Sequence, residues 1–484
     1  MGRILENFEP KDVFKYFEDI CGIPHGSGNT ALIADYIEAF AKEKNLKYVR
    51  DALGNIVIYK DGSEGYEDHP AVIFQGHMDM VCEKDKDISK DMEKEGLDIY
   101  VEDGFVKAKG TTLGGDDGIA VACGLAVLAD DSLKHPPLEV VITVDEEVGM
   151  IGAQAFDCSL LKGRLMLNAD SENEKELLCG CAGGATVTVR REFKREKSDG
   201  DVIEINIKRL TGGHSGCEID RQRGNANVLM GRILHGIFTG HDIRLIGIDG
   251  GTKDNAITRE CCAKILVPDT DEVSSIIKKA GEYTAEIYNE YKVTDPELDI
   301  NITVSEKNVT EDAADKDTTK DIINMLYTVP AGIQKMSCEL PGLVQTSLNL
   351  GVSTTGDNDI KFTFLVRSSV ESEKNDLVSK VGCVAGMCGF NMTVSGDYPG
   401  WEFKSGSPLQ EKYLNACEKV TGIRPTICTV HAGVECGFFA KNLDGLDCIS
   451  FGPDLRDIHT SRERMGIASV EKMYKVIKEL LADL

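Results

Sequence analysis

Residues 77 to 79 read His-Met-Asp and follow an apolar run, Ala71-Val72-Ile73-Phe74, with the character of a buried strand. On an extended chain positions two apart point to the same side, so His77 and Asp79 present an imidazole and a carboxylate together. Other acid-bearing segments share this setting. LEVVITV at 138–144 runs into Asp145, Glu146 and Glu147, and RLMLNA at 164–169 runs into Asp170, Ser171 and Glu172. TTLGGDDGIA sets Asp116 and Asp117 on a glycine-rich turn that opens an apolar helix. Taken singly these groups mean little in a chain with 81 acidic residues: Asp116-Asp117 reads as helix N-terminal charge and Glu146-Glu147 as a solvated turn. Gathered at one place beside a histidine, they would repel one another severely unless something positive sat among them. A pair of divalent metal ions with mixed nitrogen and oxygen ligands supplies that charge, and two-metal sites are a recurrent hydrolytic device.

The elements that must position these groups alternate. Helical spacing over 10–45 is followed by KYVRDALGNIVIYK, a hairpin turned at Leu53-Gly54-Asn55, then by the three apolar strands with helical pattern between them, notably 117–130. Strand and helix in alternation predict an α/β fold with a mixed, largely parallel sheet, whose ligands bind outside the carboxyl ends of the strands. Beyond Gly183-Gly184 the texture changes to alternating, charged segments such as DVIEINIKRL and DINITVSEKN, which predict antiparallel strands with one wet face. The expected organisation is a discontinuous domain, 1–185 and 397–484, interrupted by an inserted α+β domain over 186–396.

Composition narrows the partners. The chain has 484 residues, too long for one ordinary core. Its 54 basic residues leave a net charge of −27, which disfavours nucleic acid and anionic lipid. The longest apolar stretch, AVACGLAVLA, is too short to cross a bilayer. The start MGRILENFEPKD is not a basic-then-apolar leader, and the 16 cysteines include no Cys-x-x-Cys, so free thiols in a cytoplasmic protein are expected.

In order along the chain, GHMDMV, LGGDDGIA, DEEVGMIGA, NADSE, GGHSG and FGPDLRDIHTSRERM resemble the motifs of the M20 family of di-zinc peptidases, in particular its aminoacyl-histidine dipeptidase branch. The likeness spans essentially the whole chain, including CAGG at 181–184, DRQRGNAN at 220–227 and HAGVECG at 431–437. It implies the zinc-peptidase architecture with a lid as the insert. It further implies two divalent ions, zinc with cobalt or manganese also acceptable: His77 and Asp170 on one, Glu147 and His459 on the other, Asp116 bridging. Spacing alone does not say which of Asp116 and Asp117 ligates; the resemblance assigns the first. Asp79 would orient the histidine from behind, and Glu146 would act as general base on a metal-bridging water. In the lid, His214 would polarise the scissile carbonyl, while Asn255, Arg367, His431 and Glu435 would face the substrate. Gly115, the Ala169 of NAD and the pair Ser461-Arg462 depart from the branch pattern without removing any proposed ligand.

The function implied is hydrolysis of small dipeptides, Xaa-His and β-Ala-His among them, by a monomer or homodimer. Another M20-type amidohydrolase (tripeptidase, aminoacylase or deacetylase) is the nearest alternative, and an inactive peptide-binding relative the alternative from a different class. A nucleotide-binding protein is disfavoured, because GTTLGGDDG lacks the phosphate-binding lysine and carries acids instead.

Overall fold

A computed structural model describes residues 2–484. The chain forms two compact units: Met1–Cys181 with Trp401–Thr429 and Val434–Leu484, and Ala182–Gly400 with Val430–Gly433. The units therefore divide at 181/182 and 400/401, a few residues outside the boundaries expected from texture, and the short segment 430–433 joins the second unit.

The first unit is built on an eight-stranded sheet in the order Lys47–Arg50, Ile56–Lys60, Leu138–Thr143, Val72–His77, Leu165–Asn168, Asp447–Ser450, Glu176–Cys181, Thr426–Val430. The hairpin forms as expected, with Lys47 opposite Tyr59. Four central strands are mutually parallel, Leu138–Thr143, Val72–His77, Leu165–Asn168 and Asp447–Ser450, while the flanking pairs are antiparallel. The parallel strands are buried along nearly their whole length, which is why they read as continuous apolar runs. Their carboxyl ends lead into His77, Asp145 and Asp170 at one edge of the sheet.

Helix Gly115–Ala129 packs on the strand Val72–His77 and is buried almost all round, matching its apolar sequence GIAVACGLAVLA. The approach is close: a Cβ at Gly76 would fall 2.5 Å from Asp117 Oδ2 and 2.6 Å from the Ala120 side chain, so only glycine fits before His77. Asp116 and Asp117, joined by a cis peptide, lie outside helical geometry and deliver their side chains from a loop rather than from the helix barrel.

The second unit carries a nine-stranded sheet whose central path runs Asp299–Ala314, Arg195–Lys208, Cys261–Val267, Arg244–Gly250, Val344–Thr355, Asp359–Ser368, Gly183–Glu192, Asn391–Tyr398. Neighbours on this path pair antiparallel, and Gly332–Met336 adds to Val344–Thr355. One face is covered by helices Ala226–Phe238, Val273–Tyr291, Lys316–Thr328 and Glu371–Met387, whose apolar residues share a core with the inward side chains of the strands. Alternating burial along Asp299–Ala314 is the wet-faced pattern that the charged sequence implies.

Candidate metal centre

His77 ends its strand and is 1% exposed. Its Nε2 lies 3.3 Å from Asp116 Oδ1 and 3.5 Å from Asp170 Oδ1. On the other side, His459 Nε2 lies 2.9 Å from Glu147 Oε1 and 3.2 Å from Asp116 Oδ2. Asp116 thus turns one oxygen toward each imidazole. The ligand-type atoms of His77, Asp116 and Asp170 fall within 4.8 Å of one another, as do those of Asp116, Glu147 and His459, and a third such group, His77, Glu146 and Glu147, overlaps both. All these residues belong to the first unit.

The donor set fits metal. Ligands at about 2.0–2.1 Å around a tetrahedral zinc stand roughly 3.3 Å apart, close to the separations seen between these side chains. Glu147 Oε1 is buried and takes no hydrogen bond although the His459 ring nitrogen is 2.9 Å away. A cation bound by both atoms would take the place of the proton that the imidazole otherwise holds. His459 itself holds a left-handed backbone, φ 59°, an uncommon conformation for a non-glycine residue and one that clusters at functional sites.

The protonation balance says the same. Burial opposes a charged His77, but bonds to Asp116, Asp170 and Asp79 outweigh it and raise its pKa well above the ordinary value. The Asp116 and Glu147 carboxylates push His459 up to about 10. Burial lifts Asp170 to about 6 and Glu172 to about 7, and holds Glu146 well above the usual carboxylate range. The two imidazoles, Asp170, Glu172 and Glu146 thus favour their protonated forms, while the two imidazoles hold Asp116 below the usual carboxylate range.

Two neighbouring aspartates fall outside the ligand groups. Asp117 turns back to the strand and accepts the His77 main-chain N–H at 3.1 Å, which leaves Asp116 as the ligand-type carboxylate of the pair. Asp79 is 1% exposed. His77 Nδ1 donates to its main-chain carbonyl at 3.0 Å, with Asp79 Oδ1 at 3.4 Å; since a carbonyl only accepts, the proton sits on Nδ1 and Nε2 is free to ligate. The Asp79 carboxylate mainly binds elsewhere. It accepts the main-chain N–H of Glu146 at 3.0 Å and of Glu147 at 3.3 Å, and the Ser27 hydroxyl at 2.8 Å. Asp79 thus meets His77 through both its carbonyl and its carboxylate, and the same carboxylate fixes the turn bearing both glutamates.

In the second unit, His214 Nδ1 accepts main-chain N–H groups of Gly216 at 3.2 Å and Cys217 at 3.1 Å, so the ring proton is on Nε2 and points away as a donor. Arg367 is buried; Nη1 donates to the Tyr398 hydroxyl at 2.9 Å, and Nε has no partner. His431 lies 2.8 Å from the Ser347 hydroxyl, its pKa pushed down to about 3 by burial and by the nearby Arg367 and His214 charges. Asn255 is exposed on the loop whose main chain receives Ser215 N–H at 2.9 Å.

Glu435 is more deeply buried than Arg367 and His431. It is 0% exposed and belongs to the first unit, where it accepts from Gln75 Nε2 at 2.6 Å and from Thr143 Oγ1 at 2.7 Å. Its Oε1 has no partner, and its charge is felt by His77, Asp170 and Glu146, which places it beside the cluster. HAGVECG looks like one loop, but residues 430–433 sit with the second unit and Glu435 with the first. The sequence reading also passed over Glu463, a fully enclosed acid in what looks like a solvated charge run, SRERM.

A parallel α/β sheet with a histidine and carboxylate cluster at its carboxyl edge defines a metal-dependent hydrolase. The model for Peptidase family M20/M25/M40 matches residues 73–483, and the chain belongs to that family. It is 36% identical over 483 residues, 99% of each chain, to the cytosol non-specific dipeptidase of Escherichia coli (strain K12). Among solved structures, the aminoacylhistidine dipeptidase of Vibrio alginolyticus superposes with a TM-score of 0.93 at 35% identity, over 99% of this chain and 98% of that one. The aminopeptidase PepT of Bacillus cereus, 14% identical with a TM-score of 0.57 over 98% and 99% of the two chains, shares the fold. No helix among the described residues is long and apolar enough to cross a membrane, and among them no cysteine is in a disulfide.

Proposed function

We propose that this protein is a cytoplasmic dipeptidase that hydrolyses small dipeptides, Xaa-His and β-Ala-His among them, with two zinc ions. The observation that carries the reading is Asp116, whose two oxygens face two separate imidazoles within overlapping clusters of ligand-type groups. Full-length likeness to two dipeptidases supports the substrate class. His77 and Asp170 would hold one ion, Glu147 and His459 the other, with Asp116 shared. Bound there, the ions would supply Lewis acidity to the scissile carbonyl and to the attacking water.

The remaining chemistry belongs to the side chains. Glu146, half-buried beside the ligand groups, takes a proton as a carboxylate from the attacking water and returns it to the leaving amine. Its turn is held still by Asp79, so the base does not wander between substrate and ligand positions. His214 donates from Nε2 to the oxygen on which negative charge develops, and Arg367 receives the substrate carboxylate. His431, Asn255 and Glu435 complete the substrate contacts. Element analysis of the purified protein together with a dipeptide panel tests the proposal. Two divalent ions per chain and hydrolysis of dipeptides but not of acylated amino acids are expected; fewer than two ions, or no dipeptide turnover, would refute it.

A further inference from the structure

Glu463 is 3% exposed, yet its carboxylate meets no cationic side chain. Instead Oε2 accepts the main-chain N–H groups of Leu113 at 2.8 Å and Gly114 at 3.1 Å, and Oε1 accepts those of Gly115 at 2.8 Å and Asp116 at 3.4 Å. These are main-chain donors of the non-helical turn that leads into helix Gly115–Ala129, where no strand or helix bond would otherwise take them. A single buried anion therefore fixes four consecutive residues of the turn, ending at the backbone nitrogen of Asp116.

The same residue is tied to the other ligand loop. Glu463 N–H donates to Thr460 O at 3.1 Å, closing a tight turn directly after His459. The next residues, Arg464–Gly466, pair with Phe105–Ala108, so the far side of the turn is anchored in a sheet. Asp116 and His459 are 343 residues apart in sequence but 3.2 Å apart in space. Hydrogen bonds through Glu463 connect the two segments that carry them.

We propose that Glu463 is a positioning residue that sets the distance between Asp116 and His459, and so selectively builds the ion site formed by Asp116, Glu147 and His459. This rests on the two-ion reading above. Glutamine at 463 would keep the shape but turn an NH2 group toward two main-chain donors, so the turn would have to move. His77 and Asp170 are mounted on the parallel strands and do not depend on this link.

The test strips the full-length protein of metal and titrates it with Co2+, following the visible absorption of each bound equivalent, with apoprotein melting measured in parallel. Wild type is expected to take up two equivalents. In Glu463→Gln one equivalent should weaken by about 10- to 100-fold, the range seen when groups supporting metal ligands are removed. The equivalent lost should be the one abolished in His459→Ala, not the one abolished in His77→Ala. Glu463→Asp, which keeps the anion but falls one methylene short, should weaken the same equivalent and serves if the glutamine variant does not fold. Unchanged affinity at both sites, or equal weakening of both, with only a lowered melting temperature, would overturn the proposal. Fewer than two equivalents in wild type would refute the two-ion reading instead.

Discussion

The two units solve opposite electrostatic problems with the same residue types. In the first, His77 and His459 are drawn into a group of carboxylates and hold their protons strongly, the second up to about 10. In the second, His214 and His431 share their surroundings with Arg367 and lose theirs, His431 down to about 3, with burial the leading cause in both. An imidazole among acids is a ligand awaiting a cation, and an imidazole beside a buried guanidinium is a neutral donor suited to an anion. The contrast teaches that the same side chain is prepared for opposite partners by the charges packed around it, a cation in the first unit and an anion in the second.

That contrast is most easily broken at the base. Glu146→Ala should leave both ions bound, since Glu146 is the one member of the cluster with no required ligand role, yet lower kcat by about 10²- to 10⁴-fold, the range for loss of a positioned general base. Metal analysis and steady-state kinetics check this; near-normal kcat would remove the assignment. A smaller loss, about 10²- to 10³-fold in kcat with metal content unchanged, is expected for His214→Ala, which deletes one preorganised donor to developing charge. If His214→Ala instead lost metal, the division of labour between the units would fail.

Arg367→Ala should show itself mainly in recognition. Removing a charge-assisted partner of a carboxylate costs about 1.5–3 kcal/mol, or roughly 10- to 100-fold in kcat/KM. The loss should vanish for dipeptide amides, which carry no carboxylate, and a loss equal for both substrate types would show that Arg367 supports structure only. Lys374 and Tyr398 give the arginine its setting: Lys374 donates to the Tyr398 carbonyl at 2.9 Å and to Asp397 at 2.6 Å, while the Tyr398 hydroxyl accepts from Arg367.

The first unit was more legible from sequence than the second, and the reason is physical. Buried parallel strands must be continuous apolar runs, so an interruption by His77, Asp145 or Asp170 announces itself, and the sheet rule places those interruptions together. The hairpin at 47–60 and the helix opened by Asp116 were legible for similar local reasons. Which of two adjacent acids points where was not legible, because it depends on tertiary donors: Asp117 turns inward to meet the His77 N–H, and Glu463 is buried against main-chain N–H groups of a turn 350 residues away. That HAGVECG divides between the two units was not legible either, because it rests on tertiary partners: His431 meets Ser347 and Glu435 meets Gln75. The long antiparallel sheet was visible as alternating texture, but its strand order rests on pairings far apart in sequence, such as Gly183–Glu192 with Asp359–Ser368.

The smallest expected effect sharpens the comparison by stability rather than rate. His431 is neutral when folded down to about pH 3, whereas an unfolded histidine takes up its proton near pH 6.5. Between those values the unfolded chain binds more protons than the folded one, so stability falls as pH drops from about 6.5 toward 3 and is unaffected by this group above that window. His431→Asn lacks the titrating ring. It should be less stable than wild type at pH 7, where the Ser347 contact is weakened, and the difference should shrink as pH is lowered through 6 to 4. Denaturant melts of the metal-free protein at a series of pH values measure this, because without metal the large first-unit contribution from ion binding is absent from both chains. A difference that stays constant across the window would mean that His431 is charged in the fold, and the second unit would then hold a cationic pair rather than one guanidinium beside a neutral imidazole.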